Sequence, residues 1–268
     1  MKRAFISLTS DFGLQTQGIG NMHGAALEIN PEANVIDLMH GIPDFDICTG
    51  ARSLEATQNL PIGFHICVVD PGVGTKRKGI IIQTKRGDFL VGPDNGVLIP
   101  ATRVLGGCEK VVEITNPKYM RQPVSPIFHG RDVFTPAAAH LSVGVKINEF
   151  GKELRFEELV KAPYEEAVVD GDSISAEVIH ANKFGSIHLN ILHKVWDQFN
   201  VEKNQTMVLE FNEKTIELPF VITFGEVEQG KQLIMKDDYG RIEAALNMGN
   251  FSEKYGIKVG DKCVVRKN

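Results

Sequence analysis

Apolar positions in the first half of the chain follow two alternating rhythms. Short runs at residues 4–9, 35–39, 64–69 and 79–84 carry β-branched and apolar side chains and predict strands. Between them Ile19, Met22, Ala26 and Ile29 recur at helical spacing, and Ile47, Ala51 and Leu54 do the same. The alternation predicts βαβ units, that is, an α/β domain with a mostly parallel sheet and flanking helices.

After a charged stretch from Glu149 to Glu166 the rhythm changes to short alternating runs at residues 173–180, 187–192, 207–211 and 215–218. Asn212-Glu213-Lys214 reads as a hairpin turn between the last two. This half predicts a smaller all-β domain, a barrel or sandwich. No repeat, low-complexity tract or long linker intervenes, so the expected division is an α/β domain over residues 1–165 and a β domain over 166–268.

With 29 Lys+Arg against 34 Asp+Glu, the net charge is -5, and no long basic run is present. That balance argues against nucleic acid and anionic membrane as partners and leaves a small molecule as the expected ligand. Cys48, Cys67, Cys108 and Cys263 are scattered without CxxC spacing, which suggests neither a zinc site nor a disulfide framework. No apolar run approaches membrane-spanning length, so the expectation is a reduced, cytoplasmic protein.

Two glycine-rich segments carry the candidate chemistry: Asp70-Pro71-Gly72-Val73-Gly74-Thr75-Lys76-Arg77 and Phe128-His129-Gly130-Arg131-Asp132. They offer a carboxylate, a guanidinium and an imidazole at the edge of tight turns. The plainer alternatives are an Asp70–Arg77 ion pair that merely closes a loop and an ordinary core or surface His129. Asp11 follows the first strand at the sheet edge where open α/β folds bind ligands, and it reads equally as a turn residue. Gly18, Gly20 and Gly24 invite comparison with a dinucleotide fingerprint. Their GxGxxxG spacing and the polar residues 10–17 before them argue against it, and close packing of the helix on the sheet is the expected role. His180, His188 and His193 lack companions at ligand spacing, so no metal site is expected.

Read with Thr9-Ser10-Asp11-Phe12-Gly13, Pro93-Asp94-Asn95-Gly96, Asn247-Met248-Gly249 and Val259-Gly260-Asp261, these segments resemble the S-adenosylmethionine hydroxide adenosyltransferases, relatives of fluorinase and chlorinase. The resemblance implies hydrolysis of S-adenosylmethionine to adenosine and methionine by attack at C5′, without metal or other cofactor. It assigns the catalytic roles to Asp70, Arg77 and His129 and the ribose hydroxyls to Asp11. Phe45, Phe128, Phe184, Ser186, Phe224, Asn247 and Met248 would then hold the nucleoside. It also implies a homotrimer, each site completed by the β domain of a neighbouring subunit.

Halogenating relatives carry tyrosine where this chain has Asp70, and hydroxyl residues near Val73 and Gly130, so the contrast favours hydroxide. The chain departs from the family at Thr16, Asn182, Ser186 and Asp238, and Asp238 is the expected replacement for acid lost at Asn182, facing the substrate ammonium. Those departures leave room for another 5′-substituted adenosine as substrate. A halide-using adenosyltransferase and a non-catalytic nucleoside-binding module are the competing functions.

Overall fold

A computed structural model describes residues 3–212 and 214–268, which divide into one unit ending at Pro163 and another spanning Tyr164–Asn268. In the first, the chain runs β1 (Phe5–Ser10), α1 (Gly18–Ile29), β2 (Asn34–Met39), α2 (Ile47–Glu55), β3 (Phe64–Val68), β4 (Gly79–Thr84), β5 (Phe89–Pro93), α3 (Ile99–Val104), β6 (Cys108–Glu113), α4 (Thr135–Ser142) and β7 (Glu153–Leu154). The sheet order is β2-β1-β3-β5-β4-β6-β7.

The expected mostly parallel sheet is instead mixed. β2, β1, β3 and β5 run parallel, whereas β4 is antiparallel to β5 and β6, and β7 to β6. Only residues 85–88 join β4 to β5, far too few for the crossover that a parallel neighbour requires. One face of the sheet packs Ile6, Leu8 and Ile66 against Met22 and Ala26 of α1 and Ala137 of α4, as the helical spacing of α1 requires.

The β4–β5 connection is fixed by Asp88, whose side chain is fully buried. Its carboxylate accepts from Gly63 N at 3.1 Å, from His65 Nε2 at 3.1 Å and from Arg86 Nε at 2.7 Å. Burial alone would push its pKa up, but the His65 and Arg86 contacts outweigh burial and hold it far below the usual carboxylate range.

The second unit runs β8 (Val168–Asp170), β9 (Ser173–Ala181), β10 (Ile187–Leu192), α5 (His193–Gln198), β11 (Thr206–Phe211), β12 (Lys214–Pro219), β13 (Gln232–Lys236), β14 (Arg241–Leu246), α6 (Phe251–Tyr255) and β15 (Lys262–Lys267). Its antiparallel order is β12-β11-β15-β9-β10-β14-β13, with β8 on β9. A bridge between Phe220 and Ile234 brings the two end strands together, so the sheet nearly closes into a barrel. Ile174, Val178, Leu189, Trp196, Leu209 and Phe251 fill it. In the β11–β12 hairpin Phe211 pairs with Lys214; of the expected turn Asn212-Glu213-Lys214, Glu213 lies outside the described residues.

Fully buried Arg241 ties the start of this unit to the barrel, pairing with Glu166, donating to Asn190 O at 2.9 Å and stacking over Tyr164. The three sequence-clustered histidines have structural partners: His188 bonds Asp237 at 2.8 Å, His193 bonds Arg241 O at 2.9 Å, and the His180 ring lies 5.3 Å from that of His188. Among the described residues no group of three or more His, Cys, Asp or Glu side chains is placed to hold a metal ion, and no helix is long and apolar enough to cross a membrane.

Replacing Asp88 with Ala strands buried His65, removes the carboxylate partner of half-buried Arg86 and should cost about 3–5 kcal/mol in a denaturation experiment. Because the folded carboxyl is depressed, its stabilisation is complete above the unfolded value, near pH 4, and is lost as pH falls through the folded one. Asp88→Asn should therefore flatten the acid limb of stability against pH.

Candidate active site

Asp70 emerges two residues beyond the end of β3, at its C-terminal edge. Asn95 holds that edge: its Nδ2 donates to Val69 O at 2.8 Å while its Oδ1 accepts from Val97 N at 3.2 Å. From there the chain turns through Gly72 and Gly74 and returns as Arg77, whose Nε donates to Asp70 Oδ1 at 3.0 Å and whose Nη2 pairs with Asp70 Oδ2.

The same Nη2 lies 3.1 Å from His129 Nδ1. A guanidinium can only donate, so Nδ1 must accept and the imidazole proton resides on Nε2. Burial and then the Arg77 charge lower the His129 pKa below its ordinary 6.5, which keeps the ring neutral near pH 7. Phe134 lies 5.2 Å from the guanidinium and covers it with an aromatic face.

His129 sits immediately before a π-helical turn, Gly130–Phe134, in which Thr135 N bonds to Gly130 O. Such widened turns recur at functional sites. Asp132, whose side chain is fully buried, braces this turn by accepting from Arg131 Nε at 2.6 Å and from Ser125 N at 2.8 Å. The first motif segment meets the chain just ahead of the second at Gly74, which has φ +74 and whose added Cβ would fall 2.3 Å from Pro126 O. Only glycine permits that approach.

A pocket of about 290 Å³ opens beside these groups, lined by Asp11, Phe45, Asp70, Val73, His129 and Gly130, with Phe128 also on its wall. Phe128 is held edge-on to Phe12 at 5.7 Å and beneath Arg131 at 5.0 Å. Asp11 Oδ2 accepts from Phe45 N at 3.0 Å, pinning Phe45 at φ +62. The structure thus unites five sequence-predicted residues with Arg77 and adds three that the motifs did not single out, Asp44 on the wall and Asn95 and Asp132 behind it. Asn95 and Asp132 lay inside quoted motifs, where their burial was the missing signal. The close packing expected of the α1 glycines is found at Gly18 and not at Gly20 or Gly24. Gly18 packs on Phe12, but a Cβ at Gly20 or Gly24 would meet nothing within 4 Å.

In the second unit, Phe184, Ser186, Phe224, Asn247 and Met248 lie on mutually bonded loops. Asn182 Oδ1 accepts from Phe184 N at 3.0 Å and Ser186 N at 3.1 Å. Gly185 O accepts from Ser252 N at 2.8 Å, and Asn247 Nδ2 donates to Val227 O at 2.8 Å beside Phe224–Glu226. Asn182 is therefore a turn organiser. Asp238 is not part of this cluster; it lies in the turn before β14, whereas Asn247 follows the strand.

Comparison with known proteins gives a consistent result. The model described as the SAM hydroxide adenosyltransferase N-terminal domain matches residues 6–151, and that of the C-terminal domain matches 176–264. A Salinispora tropica protein named (R)-S-adenosyl-L-methionine hydrolase is 34% identical over 97% of both chains. One of the same name from Methanocaldococcus jannaschii is 33% identical over 97% of this chain and 95% of its own. An Actinoplanes protein named fluorinase is 24% identical over 98% of this chain and 97% of its own. The crystal structure of an uncharacterized conserved protein from Thermotoga maritima superposes with TM-score 0.90 at 30% identity, covering 97% of this chain and 99% of that one.

Gly74→Ala should cost about 1–3 kcal/mol in chemical denaturation, because it forces a left-handed residue against a carbonyl. NMR titration of His129 should give a midpoint below 6.5 that rises towards it in Arg77→Gln. Since the folded value is depressed, the stability contribution is lost as pH falls from about 6.5 through the folded midpoint.

Proposed function

The chain belongs to the SAM hydroxide adenosyltransferase family, and from that premise we propose that it hydrolyses S-adenosyl-L-methionine to adenosine and L-methionine. Water attacks C5′, the new C5′–O bond forms as C5′–S breaks, and sulfur leaves with the bonding pair as neutral methionine thioether. The proton released from water passes to the Asp70 carboxylate or on to solvent. The observation that carries this reading is the joining, through Arg77, of Asp70 and His129, which line the same pocket as Asp11.

In this arrangement Asp70 accepts a hydrogen bond from the attacking water, while Arg77 supplies fixed positive charge that favours hydroxide character. Arg77 also holds His129 with its Nε2–H available to orient the nucleophile. The pocket wall supports water over halide: the Asp70 carboxylate repels an anion, and Val73 and Gly130 offer no hydroxyl to bind one.

Asp11 takes the ribose hydroxyls, and Phe45 and Phe128 flank the nucleoside. Phe184, Ser186, Phe224, Asn247 and Met248 come from a second copy in a homotrimer, and Asp238, beyond the other end of β14, meets the substrate ammonium. Exposed apolar side chains support that assembly, since Phe45 and Phe184 are each 67% exposed and Met248 is 80% exposed. The four cysteines are free thiols, which suits the cytoplasm.

Incubation with S-adenosylmethionine should yield adenosine and methionine equally in chloride-containing and chloride-free buffer. Asp70→Ala should lower the rate by about 10²–10⁴-fold. Chromatography showing 5′-chloroadenosine, or intact substrate, would sink the proposal.

A further inference from the structure

Asp11 is flanked by residues that are held from the neighbouring strand. His40, 2% exposed, follows β2; its Nδ1 lies 2.6 Å from Ser10 Oγ and its carbonyl accepts from Gly13 N at 2.8 Å. One residue thereby grips the turn on both sides of Asp11. The other ring nitrogen, Nε2, lies 3.1 Å from Asp37 Oδ1, which His23 Nε2 also approaches at 2.7 Å.

The hydrogen positions follow from the donors. The Asp37 carboxylate can only accept, so the ring nitrogen facing it, Nε2, carries the proton and Nδ1 accepts the Ser10 hydroxyl hydrogen, while Ser10 Oγ accepts from Phe12 N at 3.3 Å. The His40 proton then lies on Nε2 and is donated to Asp37. Burial pushes the Asp37 carboxyl up, but the His23 and His40 hydrogen bonds outweigh burial and hold it below its ordinary range, so it remains an acceptor. This carboxylate–imidazole–hydroxyl chain has the connectivity of a hydrolytic triad, yet Ser10 is fully buried and its oxygen is closed to any substrate.

We propose that Asp37, His40 and Ser10 form a positioning relay that sets the Asp11 carboxylate for two-point contact with the ribose 2′- and 3′-hydroxyls. The inference rests on the reading of Asp11 as the ribose acceptor. Contact to two hydroxyls at once needs both the place and the tilt of a carboxylate to be fixed. The Asp11 backbone is set by His40 through Ser10 and Gly13, and its Oδ2 is set by the bond from Phe45 N. His40 touches no ligand in this scheme; its effect is transmitted through the turn.

Calorimetric titration with adenosine and with 2′,3′-dideoxyadenosine separates positioning from general support. The wild-type protein should bind adenosine more tightly than the dideoxy analogue. His40→Ala should weaken adenosine about tenfold, the loss of roughly one hydrogen bond, and leave the dideoxy analogue unchanged. His40→Asn, whose amide oxygen can still accept from Ser10, should recover part of the loss. Equal weakening of both ligands, or of neither, overturns the relay. Should His40→Ala fail to fold, Asp37→Asn at the exposed end must show a smaller loss confined to adenosine, and an unchanged ratio there overturns the relay equally. A wild-type protein that does not distinguish the two nucleosides would instead remove the ribose role of Asp11, and with it the premise.

Discussion

Arg77 can give hydrogen bonds but not receive them, and that asymmetry organises the site. Both members of the Asp70–Arg77 pair are largely removed from water, at 4% and 9% side-chain exposure, so the cost of desolvation is offset only when every donor finds an acceptor. Asp70 takes two donors and His129 must take another through Nδ1. The position of the imidazole, its tautomer and its neutrality all follow from this demand. So does the need for the Asp70–Arg77 and Phe128–Asp132 segments to lie against each other.

Much of this is legible in the sequence. Glycine and proline punctuation marked the reactive turns because backbone conformation there admits few residues, and helical spacing identified Met22 and Ala26 because burial imposes that period. Strand neighbours are not encoded in periodicity, which is why the antiparallel β5-β4-β6-β7 half of the first sheet was missed although its strand β4 was foreseen. Asn182 shows a second limit. Its residue type suggested a lost charge at a ligand contact, whereas its side-chain carbonyl serves the amides two and four residues further on, local bonds that composition does not reveal. Burial was the third hidden quantity, since nothing in the motif letters distinguishes Asp132, sealed beneath the π-helical turn, from an exposed acid.

Polar side chains buried in the two units serve a common purpose. Asp88 closes a connection between strands, Arg241 fastens residues 164–166 to the barrel, and Asn95 fixes the end of β3. Each is a many-armed group whose removal leaves several partners unsatisfied, so each specifies one arrangement more sharply than apolar packing could. The loops that carry Asp70 and Arg77 and the exposed aromatic loops of the second unit are thus mounted on places where the backbone has little freedom left.

The meeting of Gly74 with the Pro126 carbonyl is a contact between main chains. It involves neither the Asp70 and Val73 side chains nor Gly130, which line the pocket, so this contact does not depend on them. Lining residues can change while that main-chain contact remains intact. Fold and reaction are in this sense separately inherited, and relatives with different chemistry can share one backbone.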